Sequence, residues 1–240
     1  MQNFITDLRS ALKEIYRTVR YDMIDELYQY NGYGAGGDLS SNVDLLAEKI
    51  YIKYLSHYGQ IISEESGIIG KGEWKLIIDP IDGSDNLLSS FPYYGTSIAV
   101  QKDGEMLLSC VANFANGDLF IKYDGGFFKG KILESDMKPV KYHPFSKIGL
   151  FEKAYANPKI VARLNANGLK FRSPGAVALS LAYAYSVKYV LFVGKIREYD
   201  IAAGLHLCSD CYIYQDTTTI IVSKDKAIFD KIKEIVLKDE

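Results

Sequence analysis

The sequence predicts a mixed α and β fold built as two layered halves, with the first half ending near residue 145. Two observations support this prediction. Segments whose apolar residues recur at helical spacing alternate along the chain with short β-like runs. The chain has 240 residues, of which 48% are hydrophobic, so it is long enough to bury a sizeable core. The predicted units are an N-terminal α/β subdomain, residues 1–145, and a C-terminal α/β subdomain, residues 146–240.

The first half is predicted to open with a long amphipathic helix, whose apolar positions lie three or four residues apart: Phe4, Leu8, Leu12, Ile15 and Val19. The glycine-rich stretch 31–37 is expected to end this helix. Ser41 and Asp44 resemble a capping box, with Asp in place of Glu, at the start of a second helix. Five β-like runs follow, and glycine-containing turns separate the last three: 61–62, 74–78, 96–100, 106–114 and 119–123.

The second half is predicted to continue the alternation of strands and helices: strand 170–172, helix 177–185, strand 189–193, helix 201–208, strand 220–223 and helix 228–237. Its longest apolar tract, 175–193, contains Lys188 together with several serines and tyrosines. A helix, a turn and a strand therefore explain this tract better than a membrane span.

Composition and charge argue against several classes of protein. The chain carries 28 Lys and Arg against 30 Asp and Glu, a net charge of −2, so it lacks the basic excess of a nucleic-acid-binding protein. The three cysteines, an odd number, do not suggest a disulfide framework, and the N-terminus lacks the apolar stretch of a signal peptide. We therefore expect a protein of the reducing cytoplasm that binds neither nucleic acid nor membrane.

The most informative segment is 74–86, in which an apolar strand runs directly into two carboxylates, Asp79 and Asp82. Pro80 fixes the backbone between them, so a turn here could place both side chains around one point and expose the Ile81 carbonyl. Isolated carboxylates are usually solvated surface charges or helix caps, but an apolar strand that leads into them favours a metal site. Oxygen ligands of this kind suit magnesium.

Residues around this segment add a phosphate site and further ligands. Gly83 permits a sharp backbone turn, and a helix beginning near Ser84 would offer free N–H groups to an anion. Other acidic side chains stand near the starts of predicted helices or after a short strand: Asp44, Glu64, Glu65 and Asp200. Magnesium prefers a few carboxylates together with oxygens of a substrate phosphate, so the pattern indicates phosphate chemistry.

These residues resemble the signatures of the inositol monophosphatase superfamily, which includes fructose-1,6-bisphosphatases. Three signatures occur in the expected order: Glu64-Glu65, the Asp-Pro-Ile-Asp-Gly-Ser motif within 79–86, and the Asp-x-Ala-Ala-Gly motif at 200–204. A weaker match runs from Asp38 to Glu48. The glycine-rich residues 34–37 and the segment 195–197 resemble the branch of the family with both inositol-phosphate and fructose-bisphosphate activity.

The resemblance implies an α+β fold, an alternating five-layer α-β-α-β-α sandwich of the sugar phosphatase type, usually assembled as a homodimer. It implies two or three magnesium ions per active site, held by one set of ligands: Glu64, Asp79, the Ile81 carbonyl, Asp82 and Asp200. It also implies that the amides of Gly83 and Ser84 bind the phosphate. The Ser84 hydroxyl and Asp44 would orient and activate the attacking water, and Glu64 joins these catalytic residues because it can reach a third ion. Lithium inhibition is common in the family.

The sequence departs from the family pattern at four places. Ser84 replaces a common threonine but keeps the hydroxyl, and Asp85 adds a carboxylate beside the phosphate site. Val193 stands where inositol-specific members carry a glutamate that binds the substrate ring. The segment from Cys208 to Cys211 replaces a Gly-Gly turn. A zinc site or a pair of helix-end cysteines would account for it, and a single such pair favours the second.

Three functions remain open from the sequence. The first is a phosphatase of inositol phosphate, fructose 1,6-bisphosphate or a similar small sugar phosphate. For this function Arg172 and Arg197 are candidates to bind a second phosphate or sugar hydroxyls, with ordinary surface arginines as the alternative. The second is a nucleotide phosphatase acting on a 3′-phosphoadenosine compound, although no adenine slot is visible. The third is a non-catalytic scaffold, against which the complete set of acidic residues argues.

Overall fold

Helices and β-sheets alternate through residues 1–37 and 39–238, which are the residues that this computed structural model describes. The α-helices are α1 Gln2–Tyr21, α2 Asn42–Leu55, α3 Ser84–Leu88, α4 Pro158–Ala166, α5 Val177–Ala182, α6 Glu198–Leu207 and α7 Lys226–Leu237. Short 3-10 helices cover Asp25–Tyr28 and Ala154–Ala156. Asp38, which opens the weaker of the family matches, lies outside the described residues.

The strands form one small hairpin and two larger sheets. The hairpin pairs β1 Tyr30–Tyr33 with β2 Leu39–Ser41. The first sheet consists of β3 Gly59–Ser63, β4 Gly67–Ile69, β5 Trp74–Asp82, β6 Gly95–Lys102, β7 Glu105–Asn113, β8 Asp118–Tyr123, β9 Gly126–Lys131 and β10 Met137–Pro139. The second sheet consists of β11 Gly149–Glu152, β12 Phe171–Arg172, β13 Val190–Val193, β14 Tyr212–Gln215 and β15 Thr219–Ser223.

Each sheet contains a group of parallel strands. The first sheet has the order β10-β9-β8-β7-β6-β5-β3-β4 and is antiparallel except for the pair β3 and β5. The second has the order β12-β11-β13-β15-β14, in which β12, β11 and β13 are parallel. The carboxyl ends of parallel neighbours meet at one edge of a sheet, which is a common place for ligand sites.

Four apolar clusters hold the layers together. The first joins α1 and α2 to one face of the first sheet, around Leu12, Tyr51 and Ile98. Two more join α5 and α6 to both sheets, through residues such as Val111 of the first sheet and Val190 of the second. The fourth joins α4 and α7 to the outer face of the second sheet. The result is a five-layer α-β-α-β-α sandwich, so the predicted fold class is confirmed.

Most predicted elements occur close to their predicted bounds, and the capping box between Ser41 and Asp44 is present at the start of α2. The glycine-rich stretch does not end α1, which stops at Tyr21; it forms part of the β1–β2 hairpin instead. The pattern also misses β9 and β10, because their residues are only partly buried and show no clear alternation. Helix α4 is missed because Leu164 is its one buried residue.

The connection between the two sheets runs from Pro139, where β10 ends, to Gly149, where β11 begins. The predicted boundary near residue 145 falls within this connection, and the division into two subdomains stays a prediction. The long apolar tract contains α5 and β13 rather than one continuous helix. Every helix within residues 1–37 and 39–238 is too short or too polar to cross a bilayer.

The middle layer of the sandwich depends on a close approach between α5 and α6. An ideal Cβ atom built on Gly204 of α6 would lie 2.6 Å from both Cβ and Cδ1 of Leu181 on α5. Carbon atoms in proteins do not approach this closely, so a side chain at this position would push the two helices apart. Glycine is therefore required here by packing rather than by backbone conformation.

We expect Gly204→Ala to lower the free energy of unfolding by about 1–2 kcal/mol, because overpacking costs about 1–3 kcal/mol and the gain in helix propensity is at most about 1 kcal/mol. Denaturant unfolding measures the change. The control is the same substitution in a Leu181→Gly background, where both clashing atoms of Leu181 are absent and Gly204→Ala should be neutral or stabilising. Stabilisation in the otherwise unchanged protein would contradict the contact.

Candidate metal centre

Three carboxylates from separate elements meet at one point. Glu64 follows β3, Asp79 lies in β5, and Asp200 lies in the first turn of α6, and one ligand oxygen from each lies within 4.8 Å of the others. Because β3 and β5 are parallel neighbours, the amide of Glu64 donates to the Ile78 carbonyl over 3.2 Å and comes to lie beside Asp79. Among the described residues no other group of three carboxylate, histidine or cysteine ligands converges in this way.

The electrostatics of this cluster fit a divalent cation. Asp79 is 3% exposed, and its Oδ1 atom is buried with no hydrogen-bond partner in the described part of the chain. Burial, followed by the charges of Glu64, Asp82 and Asp200, raises the pKa of Asp79 well above its usual range. Buried oxygens that repel one another are stabilised by a cation, and a donor set made only of oxygens suits a hard ion.

Asp82 lies at the end of β5, outside the group of three. The backbone stays extended from Asp79 to Asp82, with an irregular register between them, so the turn predicted here is a distorted strand. The side chains of residues three apart in a regular strand point to opposite faces of the sheet. The irregular register between Asp79 and Asp82 changes the directions of these two side chains. The Oδ2 atom of Asp82 accepts the Leu179 amide over 2.8 Å, and the Ile81 side chain packs in the core beneath α1 and α2.

The predicted phosphate-binding residues follow directly after β5. Gly83 has φ +83°, in the left-handed region that favours glycine, and Ser84 is the first residue of α3. Asn86 holds this segment in place, because its side-chain amide donates to the carbonyls of Tyr93 and Pro174, both over 2.7 Å. The N–H groups that open a helix have no acceptors within it, so the amides of Gly83 and Ser84 remain candidates for phosphate binding.

Asp44 lies in the first turn of α2 and is held by its own capping box. Its Oδ2 atom accepts the backbone N–H and the hydroxyl of Ser41, over 2.8 and 2.6 Å. Burial raises the pKa of Asp44, and the charge of Asp85 acts in the same direction. Asp85, whose role the sequence leaves open, therefore adds negative charge to the region around Asp44.

The two arginines proposed from the sequence lie in different surroundings. Arg197 forms ion pairs with two of the clustered carboxylates, Nη1 to Glu64 Oε1 over 2.7 Å and Nε to Asp200 Oδ2 over 2.8 Å. Its Nη2 also donates to Asp200 Oδ1 over 3.1 Å. Arg172 is exposed at the end of β12 and donates to the neighbouring Phe171 carbonyl over 2.8 Å. Arg197 thus belongs to the carboxylate cluster, and a role in substrate binding stays a prediction for both.

Two buried polar residues support Asp79, and sequence reasoning missed both. The hydroxyl of Thr96 on β6 donates to the Asp79 carbonyl over 2.7 Å, and Tyr51 on α2 donates to Thr96 Oγ1 over 3.0 Å. Thr96 and Tyr51 are fully buried. A strand threonine and a helix tyrosine carry no local signal of such a role, because the contact exists only once α2 packs on the sheet.

Glu152 is a second buried acidic residue that the sequence did not single out. It lies at the end of β11, is 1% exposed, and accepts the Gly175 amide over 2.8 Å and the Ser180 hydroxyl. Burial raises the pKa of Glu152, and these hydrogen bonds oppose the shift. The residue anchors the start of α5, from which the Leu179 amide reaches Asp82.

The glycine-rich loop before β2 lies over Glu64. The amide of Gly36 donates to the Glu64 carbonyl, and the amide of Ala35 donates to the Glu65 carbonyl, both over 2.8 Å. An ideal Cβ on Gly36 would lie 2.7 Å from the Tyr199 hydroxyl. The loop therefore approaches the carboxylate cluster more closely than residues with side chains would allow.

Comparisons with known proteins agree with this geometry. The sequence model of the inositol monophosphatase family matches residues 4–211. The chain belongs to the inositol monophosphatase family. The sequence-based assignment to this family, and to its class of enzymes, the phosphomonoester hydrolases, is thereby confirmed.

Individual relatives carry related names. The fructose-1,6-bisphosphatase/inositol-1-monophosphatase of Methanothermobacter thermautotrophicus is 32% identical over 198 residues, which cover 71% of this chain and 68% of that protein. The bifunctional NADP phosphatase/NAD kinase of Methanocaldococcus jannaschii is 28% identical over 238 residues, which cover 82% of this chain and 41% of that protein. The chain therefore spans less than half the length of the second relative.

Solved structures show the same fold. The extragenic suppressor protein SuhB of Bartonella henselae superposes with a TM-score of 0.82, over 98% of this chain and 99% of that chain. Its sequence is 22% identical, so this likeness concerns the fold alone.

We expect Arg197→Met to destabilise the metal-free protein by about 2–3 kcal/mol, because the substitution keeps the apolar stem but leaves Glu64 and Asp200 without their cation. For a chain of this size the loss corresponds to a fall of roughly 4–12 °C in melting temperature. Thermal unfolding in EDTA measures it, and added magnesium should reduce the difference from the unchanged protein. Arg172→Met, at an exposed arginine, is the control and should have little effect. Equal stability of the Arg197 variant and the unchanged protein in EDTA would contradict the charge-balancing role.

Proposed function

We propose that this chain is a magnesium-dependent phosphatase that hydrolyses a small phosphomonoester, such as inositol 1-phosphate, fructose 1,6-bisphosphate or a related sugar phosphate, with water as the nucleophile. The observation that carries the proposal is the unpartnered buried oxygen of Asp79, which lies within the three-carboxylate cluster and just before Gly83 and Ser84. A cation site beside an anion site is what the hydrolysis of a phosphate ester requires. The family of the chain supports the same reaction.

The proposed magnesium ligands come from both halves of the chain: Glu64, Asp79, the Ile81 carbonyl, Asp82 and Asp200. Two or three ions per site are proposed, because magnesium accepts a few carboxylates and retains coordination places for substrate oxygens. When bound, the ions would polarise the phosphate oxygens and lower the pKa of a coordinated water.

The remaining roles fall to groups that the chain itself supplies. In the proposal the amides of Gly83 and Ser84 bind phosphate oxygens, and the Ser84 hydroxyl orients the attacking water. Asp44 accepts a proton from that water, and the two hydrogen bonds from Ser41 hold Asp44 Oδ2 in a fixed position. The raised pKa of Asp44 makes it a stronger base than an exposed aspartate.

Several phosphate esters are candidate substrates. A second anionic group would favour fructose 1,6-bisphosphate, and exposed Arg172 is a candidate to bind it. A phosphatase of phosphorylated nucleotides is the second candidate function, because the Methanocaldococcus jannaschii relative is named an NADP phosphatase. The family resemblance further supports a homodimer, and the odd number of cysteines supports a reducing, cytoplasmic location.

We expect Asp79→Asn to fold normally and to lose at least about 100-fold in kcat, because it removes the central ligand of the cluster. The folded state should be as stable in EDTA as the unchanged protein or more so, since the substitution removes a buried charge that repels its neighbours. Calorimetric titration with magnesium should show weakened binding.

The matched control is Asp103→Asn, which makes the same chemical change at an exposed turn residue. It should leave kcat and magnesium binding unchanged. If Asp79→Asn retained the activity of the unchanged protein, the assignment of the metal site would be wrong.

Phosphate release from a substrate panel tests the reaction itself. The panel contains inositol 1-phosphate, fructose 1,6-bisphosphate, NADP, 3′-phosphoadenosine 5′-phosphate and simple sugar phosphates, each with magnesium, with EDTA and with lithium. Magnesium-dependent release from a sugar or inositol phosphate is the expected result. Release from the nucleotides alone would establish the second candidate function, and no release from any compound would leave the scaffold hypothesis.

A further inference from the structure

The turn that ends α6 carries two cysteines that the proposed phosphatase chemistry does not use. Cys208 is the C-cap residue of α6, and Cys211 follows one turn later. All three cysteines of the chain are free. Neither Cys208 nor Cys211 belongs to a group of three metal ligands within residues 1–37 and 39–238, so the geometry offers no zinc site there.

The two thiols lie within reach of each other. The amide of Cys211 donates to the Cys208 carbonyl over 2.7 Å, so residues 208–211 form a four-residue turn. Such a turn keeps its first and last Cα atoms within about 7 Å, which is close to the range in which a disulfide closes. The two thiols are also close enough for each to shift the pKa of the other. The backbone is therefore already bent as a disulfide between these residues requires.

The two residues between the cysteines are held in place from both sheets. Lys122 on β8 is 5% exposed, and its Nζ donates to the Ser209 hydroxyl and, over 3.2 Å, to Asp210 Oδ2. Lys224, which follows β15, donates to the Asp210 carbonyl over 2.6 Å, and the Tyr185 hydroxyl donates to the Asp210 carboxylate over 3.4 Å. These contacts fix the turn, and they place two lysines beside it.

The surroundings of the two thiols differ. Cys208 is completely buried, and its Sγ donates to the Leu181 carbonyl over 3.2 Å, whereas Cys211 is partly exposed. The neighbouring Cys208 thiol, helped by the charge of Lys224 and opposed by burial, lowers the pKa of the Cys211 thiol. The neighbouring Cys211 thiol, followed by burial, raises the pKa of the Cys208 thiol. Since the thiolate is the nucleophile, Cys211 is suited to attack and Cys208 to resolve.

We propose that Cys211 and Cys208 form a site of reversible thiol–disulfide exchange with a small disulfide such as glutathione disulfide. The Cys211 thiolate attacks one sulfur of the small disulfide, whose S–S bond breaks as a mixed disulfide forms and one thiolate leaves. Cys208 then attacks the Cys211 sulfur, and the second thiolate leaves. The two leaving groups take up the two protons that the protein thiols release. Two protein thiols are thus oxidised and one disulfide is reduced to two thiols.

Glutathione disulfide added to the folded protein provides the test, with alkylation of remaining thiols and peptide mass spectrometry as the readout. The expected product contains a Cys208–Cys211 disulfide, a reduced Cys110 and no bound glutathione, and dithiothreitol should reverse it. Cys110 is an internal control, because it is fully buried on β7 and has no second cysteine beside it. Cys110→Ser should behave like the unchanged protein.

Single variants test the order of the two steps. Cys208→Ala should accumulate glutathione on Cys211, because no resolving thiol remains. Cys211→Ser should resist modification by at least about tenfold in rate, because the remaining thiol is buried. Circular dichroism checks that each variant is folded. Since Cys208 is a core residue, the rate of iodoacetamide labelling in the unchanged protein provides a second measurement, with Cys211 expected to react at least about tenfold faster than Cys208.

Three results would overturn the proposal. The first is an unchanged protein that keeps all three thiols in glutathione disulfide while its denatured form is oxidised. The second is a stable glutathione adduct on the unchanged protein without formation of the internal disulfide. The third is equal labelling rates for Cys208 and Cys211. None of these measurements depends on phosphatase activity, so the two proposals stand or fall separately.

Discussion

Buried negative charge is the constraint on which the rest of this structure depends. Asp79 and Asp82 lie buried at the carboxyl-terminal end of β5, an interior strand of the first sheet, where burial and the neighbouring charges of Glu64 and Asp200 raise their pKa values. Such charges cost free energy wherever nothing compensates them. The fold compensates through the guanidinium of Arg197, through backbone N–H donors, and through an oxygen geometry that fits hard cations. Stability and proposed activity are therefore coupled at one site.

The middle layer of helices brings this site together. Helix α6 carries Asp200 to the first sheet, and helix α5 supplies the amide of Leu179 to Asp82. The two helices lie close to each other because Gly204 presents no side chain to α5. Glu152, at the end of a strand of the second sheet, anchors the start of α5. Neither sheet contains the whole site, so both halves of the chain must be folded and packed before the cluster exists.

Membership of the family supports a type of reaction for this chain more strongly than it supports a particular substrate. The cluster and the segment from Gly83 to Asn86 use residues that match the family signatures, and in the proposed function they contact only the cations and the phosphate. In the proposed function the rest of a substrate contacts other parts of the surface, for which exposed Arg172 is a candidate, and Val193 departs from the inositol-specific pattern. The turn from Cys208 to Cys211 departs as well, and it lies at the opposite end of α6 from Asp200. The parts particular to this chain therefore lie outside the three-carboxylate cluster.

The sequence by itself determined the main helices and strands, the capping box of α2 and the acidic motif after β5, because apolar spacing and capping residues act over a few positions. The family resemblance implied that Glu64, Asp79 and Asp200 share one point, and the tertiary structure shows it. Only the tertiary structure decided that the Leu179 amide binds Asp82 and that Arg197 pairs with carboxylates. The weakly buried strands β9 and β10 likewise became visible only in the folded sheet. These features depend on packing between segments far apart in the chain, and no local pattern of residues records which distant side chains will meet.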